Sequence, residues 1–285
     1  MKITKRFDAF NDKYLNHYRR MIFMKALVIN LKSSAKRMQF QEEQLAAQEI
    51  EFLRIEATDV KNLTEEEYQK NAFHWQRPLR ESEVACCLSH KQAWETVKEI
   101  NHPCLILEDD ALLSGETKTI IQALNKSNDF DCVSLETRKR IKCVDKEKTS
   151  LCEGFKISKL IQDKCGAAAY VLWPSGADIL LNWISKNGIG LADALIAGGP
   201  NWRHGQIEPA AAIQLDCCEH YGIEQPMMTE SNIDAYEKPK MKNRFPYQRR
   251  RVLGQIKVAL RKILHCRNAE YVALSPHADM RRPKN

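Results

Sequence analysis

A chain of 285 residues, 44% hydrophobic and 28% charged, carries enough apolar material for one large or two small globular domains and is too rich in it for a disordered protein. No stretch approaches the roughly 20 consecutive apolar residues of a membrane span, and the basic N-terminus lacks the apolar segment of a secretory signal. The ten cysteines form no CxxC pair, so they read as buried thiols of a reducing compartment and not as a zinc or disulfide framework.

The net charge of +7 conceals a division. Residues 1–25 carry +5 and residues 238–285 carry +12, which leaves −10 on the body between them. Three segments are expected: a basic extension over 1–23, a folded domain over 24–237 and a basic C-terminal segment over 238–285.

In chain order, "MKALVINL" (Met24 to Leu31) reads as a first buried strand, and Met24 could itself be an initiator. Ser33 and Ser34 can cap the helical pattern "AKRMQFQEEQLAAQ", and "IEFLRIEATD" reads as a second strand. A helix within "SEVACCLSHKQAWETVKEI" leads to the strand "PCLILEDD" after the break at Asn101 to Pro103. A helix over 116–126, a strand at "FDCVSLE" and a polar loop from Arg138 to Glu153 follow. The run "CGAAAYVLW" precedes the helix "PSGADILLNWISKNG", which starts at Pro174 and stops at Gly188. Strands alternating with helices predict an α/β fold with a mostly parallel central sheet flanked by helices. In such sheets ligands sit beyond the carboxyl ends of the strands.

In the basic C-terminal segment, Val252, Leu253, Ile256, Ala259, Leu260, Ile263 and Leu264 recur at helical spacing opposite arginines and lysines. Such a helix suits an anionic membrane surface. It equally suits a helix packed on the domain with its basic face in water. The charge lacks any nucleic-acid recognition motif or aromatic interleaving, so nucleic acid is not an expected partner.

The chemistry concentrates in "LILEDDALL", where three adjacent carboxylates interrupt an apolar run. In an extended segment Glu108 and Asp110 point the same way and Asp109 the other, so Glu108 and Asp110 are candidate ligands of Mg²⁺ or Mn²⁺. The alternative is an acidic cluster at a helix N-terminus.

"KALVINLKSSAKRMQFQEEQL", "IEFLRIEATDV", "ESEVACCLSHKQAWETV", "PCLILEDDALL" and "CGAAAYVLWPSGADILL" together resemble, in order and spacing, glycosyltransferase family 25, the lipooligosaccharide and lipopolysaccharide transferases. The resemblance runs from about Met24 to Ile233. It implies a GT-A-like nucleotide-binding fold, a UDP-sugar donor (most often UDP-galactose), a divalent metal and inversion at the anomeric carbon. It implies further that Asn30, Leu31 and Arg37 line the donor nucleotide, with Asp59 near uridine. Glu83, Ser89 and His90 match the family's "E..C.LSH" element, and Glu108, Asp109 and Asp110 its "EDD". Gly166 and Tyr170 fall in its small-residue strand, and Asp193 in "GLADALI" matches an acidic residue that is the candidate catalytic base. Ala85 replaces a usual glycine, and "LAD" replaces "PVD".

Each residue also has a plainer structural reading. His90 and Ser89 would pack within a helix, Glu83 would favour a helix start, and Asp193 would cap or close a loop. His204 and His220 are candidate additional metal ligands, and Arg203 a candidate diphosphate contact. Segments 138–153 and 197–206 are candidates for a loop closing over donor. A lipooligosaccharide acceptor places the enzyme in the cytoplasm, peripheral on the anionic inner membrane through its basic helix. The rival functions are a glucosyl- or N-acetylhexosaminyl-transferase of the same fold, a nucleotidyltransferase, which lacks its glycine-rich loop here, and a non-catalytic carbohydrate-binding scaffold.

Overall fold

The computed structural model describes residues 23–163, 166–198, 202–227 and 245–281. The N-terminal extension, apart from Phe23, and the first residues of the basic C-terminal segment lie outside the described residues. The first half comprises β1 (Ala26–Asn30), α1 (Ala35–Ala46), β2 (Phe52–Glu56), α2 (Glu65–Asn71), α3 (Glu81–Ile100), β3 (Cys104–Glu108), β4 (Ala111–Leu113), α4 (Thr117–Leu124) and β5 (Cys132–Ser134). The second comprises β6 (Ile141–Cys152), β7 (Phe155–Gln162), β8 (Ala169–Leu172), α5 (Pro174–Asn187), α6 (Ala192–Gly198), β9 (His204–Glu208), β10 (Ala212–Gln214), α7 (Cys218–Tyr221), α8 (Phe245–His265) and β11 (Ala269–Ala273).

Strands β11-β6-β7-β9-β5-β8-β3-β1-β2 form one sheet, and β10 pairs with β4 in a second ribbon. The large sheet is mixed. Parallel pairing joins β1 to β2, β1 to β3 and β5 to β9, while β8 runs antiparallel between β3 and β5. The expectation of parallel strands therefore describes the β2-β1-β3 end, and the β11-β6-β7 end is antiparallel.

The sheet is covered on both faces, which is why β1 and β3 read as unbroken apolar runs. Successive side chains of a strand alternate in direction. Ala26 and Val28 accordingly pack with Met38, Leu45, Ile120 and Leu124 of α1 and α4, and Leu27 and Ile29 pack with Val84, Trp94, Leu180 and Ile196 of α3, α5 and α6. Helix α3 stops where Asn101 turns left-handed at φ 52°, two residues before Pro103. Helix α5 stops at Gly188, φ 76°, where a Cβ would lie 2.4 Å from the His74 ring.

Two expectations are corrected. The polar segment from Arg138 to Glu153 is not a loop, and so not a lid: residues Ile141–Cys152 are β6, turned into β7 at Gly154. Only Cys143 and Val144, with Lys142 beside them, bury continuously, and the lysines farther along face outward, so the hydrophobic pattern is faint. Nor is the basic C-terminal segment separate from the domain throughout. After α8 the chain returns as β11, the edge strand paired with β6, and Met280 packs beside Ile213 and Leu215.

Among the described residues no helix is long and apolar enough to cross a membrane. The nine described cysteines are all free thiols.

Candidate active site

The carboxyl ends of β1 and β3 bring the sequence candidates together. Asn30 closes β1 and Glu108 closes β3. Asp109 turns away from the other two acids: its Oδ2 accepts from Asn30 Nδ2 at 2.8 Å and its Oδ1 pairs with Arg37 at 3.1 Å. Asn30 and Arg37 thus hold the acidic turn in place, and Gln41 adds a bond from Nε2 to the Asp109 carbonyl.

Glu108 is held from both sides. Its Oε1 lies 3.1 Å from His90 Nε2 and its Oε2 accepts from Gln214 Nε2 at 3.1 Å. His90 Nδ1 is 3.0 Å from the Tyr170 hydroxyl, which accepts from Trp94 Nε1 at 2.8 Å. With Trp94 donating to one lone pair, the hydroxyl keeps its own proton and a second lone pair, so it can partner either tautomer of the ring. Burial holds the imidazole neutral, its pKa pushed down to about 4. Tyr170 is completely buried and orients His90.

Asp193, on α6, faces the same region. Burial, Asp193 and Asp109 push the Glu108 carboxyl up to about 8, and burial, Glu108 and Asp109 push Asp110 up to about 7. Burial also raises Asp193, against the lowering pull of His90 and Arg138. Glu136, just past β5, rises to about 8 through burial. Glycine is required at 166: at φ 144° its Cβ would stand 3.3 Å from Asp163 Oδ2 and 3.5 Å from Glu136 Oε1.

Unpartnered oxygens beside the acidic turn are of the kind a hard divalent cation takes. Asn30 Oδ1, Asp110 Oδ1 and Gln214 Oε1 are buried oxygens without a hydrogen-bond partner among the described residues. All three are acceptors, and unpaired buried acceptors beside protonation-prone carboxylates are what a cation with oxygen ligands satisfies.

This electrostatic frustration predicts an unusual pH profile for the metal-free protein. A carboxyl whose folded pKa is raised favours the folded state when protonated, so Glu108, Asp110 and Glu136 withdraw stability as pH rises from the ordinary carboxylate range toward 7–8. His90, lowered to about 4, and His204, lowered to about 3, act oppositely, adding stability as pH rises toward the ordinary histidine value of 6.5. Between pH 6.5 and 8 only the carboxyl effect remains. Thermal melts in EDTA should fall across that window, and melts with Mn²⁺ should not; parallel curves refute it.

A hollow of about 320 Å³ lined by Lys32, Ser33, Glu56, Ala57, Asp59 and Asn62 opens at the carboxyl ends of β1 and β2. Asp59 caps the following turn through Lys61 N. Leu31 leads into the hollow, its carbonyl accepting from Ser34 N. Ser89 supports the hollow from behind, since its Oγ accepts from Thr58 N at 2.9 Å and donates to the Ala85 carbonyl.

Other candidates are engaged elsewhere. Glu83 makes a two-bond fork with Arg77 at 2.7 Å and caps α3 through Arg80 N. Burial alone would raise its carboxyl, but Arg77 and the amide outweigh it and hold the pKa below the usual range. Arg203 is no diphosphate contact, because its guanidinium locks onto Asp131 at 2.7 Å. His204 is buried 5.0 Å from the Trp202 ring, and His220 packs on Tyr221; neither joins the acid cluster.

Sequence reasoning missed Gln214, Glu136, Arg138 and Arg140. Gln214 arrives from β10, about a hundred residues from Glu108, and nothing local marks it. The run "RKR" at 138–140 was legible as positive charge just past a strand. Arg138 bonds Asp216 at 2.8 Å, and its charge lowers Glu108 and Asp193.

The sequence model described as glycosyltransferase family 25 (LPS biosynthesis protein) matches residues 23–196. The chain is similar to the lipooligosaccharide biosynthesis protein lic2B of Haemophilus influenzae, 28% identical over 251 residues, which cover 83% of this chain and 93% of the relative.

Proposed function

The chain belongs to glycosyltransferase family 25, and from that premise we propose that it is an inverting, metal-dependent transferase moving a hexose, galactose foremost, from a UDP-sugar to a lipooligosaccharide acceptor. The observation that carries this reading is the cluster of raised carboxyls and unpartnered oxygens at the end of β3, beside the hollow at β1 and β2. The nucleoside would occupy that hollow in a GT-A-like arrangement, with Asp59 and Lys32 on its wall and Asn30 and Leu31 just before it in the chain.

Glu108 and Asp110 would hold Mn²⁺ or Mg²⁺, with Asn30 and Gln214 oxygens nearby. When bound, the cation supplies positive charge against the diphosphate as it departs. The chain's own groups do the rest. His90 and Gln214 fix the Glu108 carboxylate in orientation, and Arg138 and Arg140 add cationic charge that opposes the raised pKa of Asp193. Asp193 takes the proton of the acceptor hydroxyl as its oxygen bonds to the anomeric carbon and the bond to UDP breaks.

Purified protein assayed with UDP-galactose, UDP-glucose and UDP-N-acetylglucosamine should show metal-dependent UDP release, fastest with UDP-galactose. Release that EDTA leaves unchanged would overturn the metal assignment. Asp193→Asn should lower kcat by about 10²–10⁴-fold with donor KM nearly constant, and wild-type activity should fall as pH drops through the raised Asp193 pKa. A variant of normal rate removes Asp193 from the role of base.

Helix α8 supports a peripheral place on an anionic membrane. Val252, Leu253, Ile256, Leu260, Ile263 and Leu264 are 49–80% exposed and fall within one arc of about 120° at 3.6 residues per turn. One flank of the helix touches the body: Arg250 donates to the carbonyls of Phe73 and Trp75, and Arg261 to that of Gly198. Exchanging exposed Arg251 and Lys257 for glutamate should weaken sedimentation with anionic vesicles by at least roughly 30-fold, at about 1 kcal/mol per lost cation. Unaltered sedimentation would separate the helix from the membrane.

A further inference from the structure

The two oxygens of Glu108 face chemically different neighbourhoods. Oε2 meets Gln214 on the side of the oxygen-rich set, whereas Oε1 meets His90. Beside His90 stands Cys86, four residues earlier on α3 and therefore one turn away on the same helix face. The sulfur of Cys86, a ring nitrogen of His90 and a carboxylate oxygen of Glu108 all lie within 4.8 Å of one another.

We propose that Cys86, His90 and Glu108 form a second cation site, distinct in chemistry from the oxygen set, that takes a thiophilic divalent ion, Zn²⁺ above all. Bonds of about 2.0–2.3 Å to sulfur, nitrogen and oxygen in a tetrahedron put the ligand atoms about 3.3–3.8 Å apart, a separation that the observed grouping reaches with small side-chain adjustments. Three protein ligands leave the fourth position open to water or substrate. Softness decides the ion: thiolate and imidazole favour Zn²⁺ and Co²⁺ over Mg²⁺ and Mn²⁺.

The surroundings suit this role. Cys86 and Glu108 are partly exposed, so an ion has access, while His90 is buried and held at its other nitrogen by Tyr170. A metal-bound imidazole needs such a partner to fix its ring. Binding at Nε2 places the ring proton on Nδ1, which donates to the second lone pair of the Tyr170 oxygen beside the Trp94 bond. Cys86 binds as thiolate: the S–H bond breaks, its proton passes to solvent and the sulfur lone pair forms the metal–sulfur bond.

The site stands on the Cys86, His90 and Glu108 grouping and does not depend on Mn²⁺ occupying the oxygen set. Its test is spectroscopic. Full-length metal-free protein titrated with Co²⁺ should develop a near-ultraviolet thiolate-to-cobalt charge-transfer band that saturates at one equivalent. Cys86→Ser should abolish the band, and His90→Gln should weaken Co²⁺ binding at least tenfold. A band that survives in Cys86→Ser, or Co²⁺ binding without any band in the wild type, overturns the proposal. Should Cys86→Ser not fold, alkylation of the wild-type protein mapped by mass spectrometry decides. Zn²⁺ should then protect Cys86 at least tenfold more than the exposed Cys266, and equal labelling refutes the site.

Discussion

Asp110→Asn should lower kcat/KM for donor turnover by about 10²–10³-fold, the scale on which an electrostatic stabiliser of a departing anion contributes, and should abolish stabilisation by Mn²⁺. The metal-free protein should move the other way. Burial and the neighbouring carboxylates Glu108 and Asp109 press on the Asp110 carboxyl, so a neutral amide of the same shape relieves repulsion and raises the melting temperature in EDTA. The paired outcome, a more stable protein that neither responds to Mn²⁺ nor turns over donor, distinguishes a ligand from a structural acid. A variant that is less stable in EDTA yet keeps its response to Mn²⁺ would place the cation elsewhere.

The second large effect lies beneath the site. Lys142 and Asp163 are each 1% exposed and pair at 2.6 Å, with the ammonium also donating to Ser134, the Glu136 carbonyl and Gln206 at 2.7–3.2 Å. Lys142→Met strips the cation from a buried carboxylate and should cost about 3–5 kcal/mol in urea unfolding. Adding Asp163→Leu should recover most of that loss, because it is the uncompensated charge that destabilises. A single variant within about 1 kcal/mol of wild type would show that solvent reaches the pair. Glu136 provides a further readout: Lys142 lowers its pKa, so losing the lysine should extend the carboxyl-dependent loss of stability to higher pH.

Legibility in the sequence followed the range of the interactions. Strands β1 and β3 and helix α3 announce themselves because their apolar residues serve a buried sheet and a packed helix face, and "EDD" stands out because repulsion within three residues is visible locally. Strand β6 was hidden, since an antiparallel strand near a sheet edge needs to bury only one short stretch, and its lysines read as loop. The roles of single residues were the least legible. Glu83 is bound in a fork to Arg77, and Ser89 supports the Thr58 backbone. Gln214, which fixes Glu108, comes from a strand remote in sequence. A motif records which residues recur, whereas partners across the fold determine what each one touches.

Helix α8 is already built and held near both ends, by Arg250 toward its start and by β11 after its end. A free amphipathic segment must order itself on the lipid, and that entropy weakens its adsorption. Here the folded body supplies the order beforehand. Landing on a bilayer, as proposed above, would therefore leave the helix content of the protein unchanged and set it at one angle and one height. On the membrane role proposed above, saccharides anchored in lipid by their reducing end would meet the transfer site only within a narrow band of chain lengths, and the helix would act as a ruler as well as an anchor.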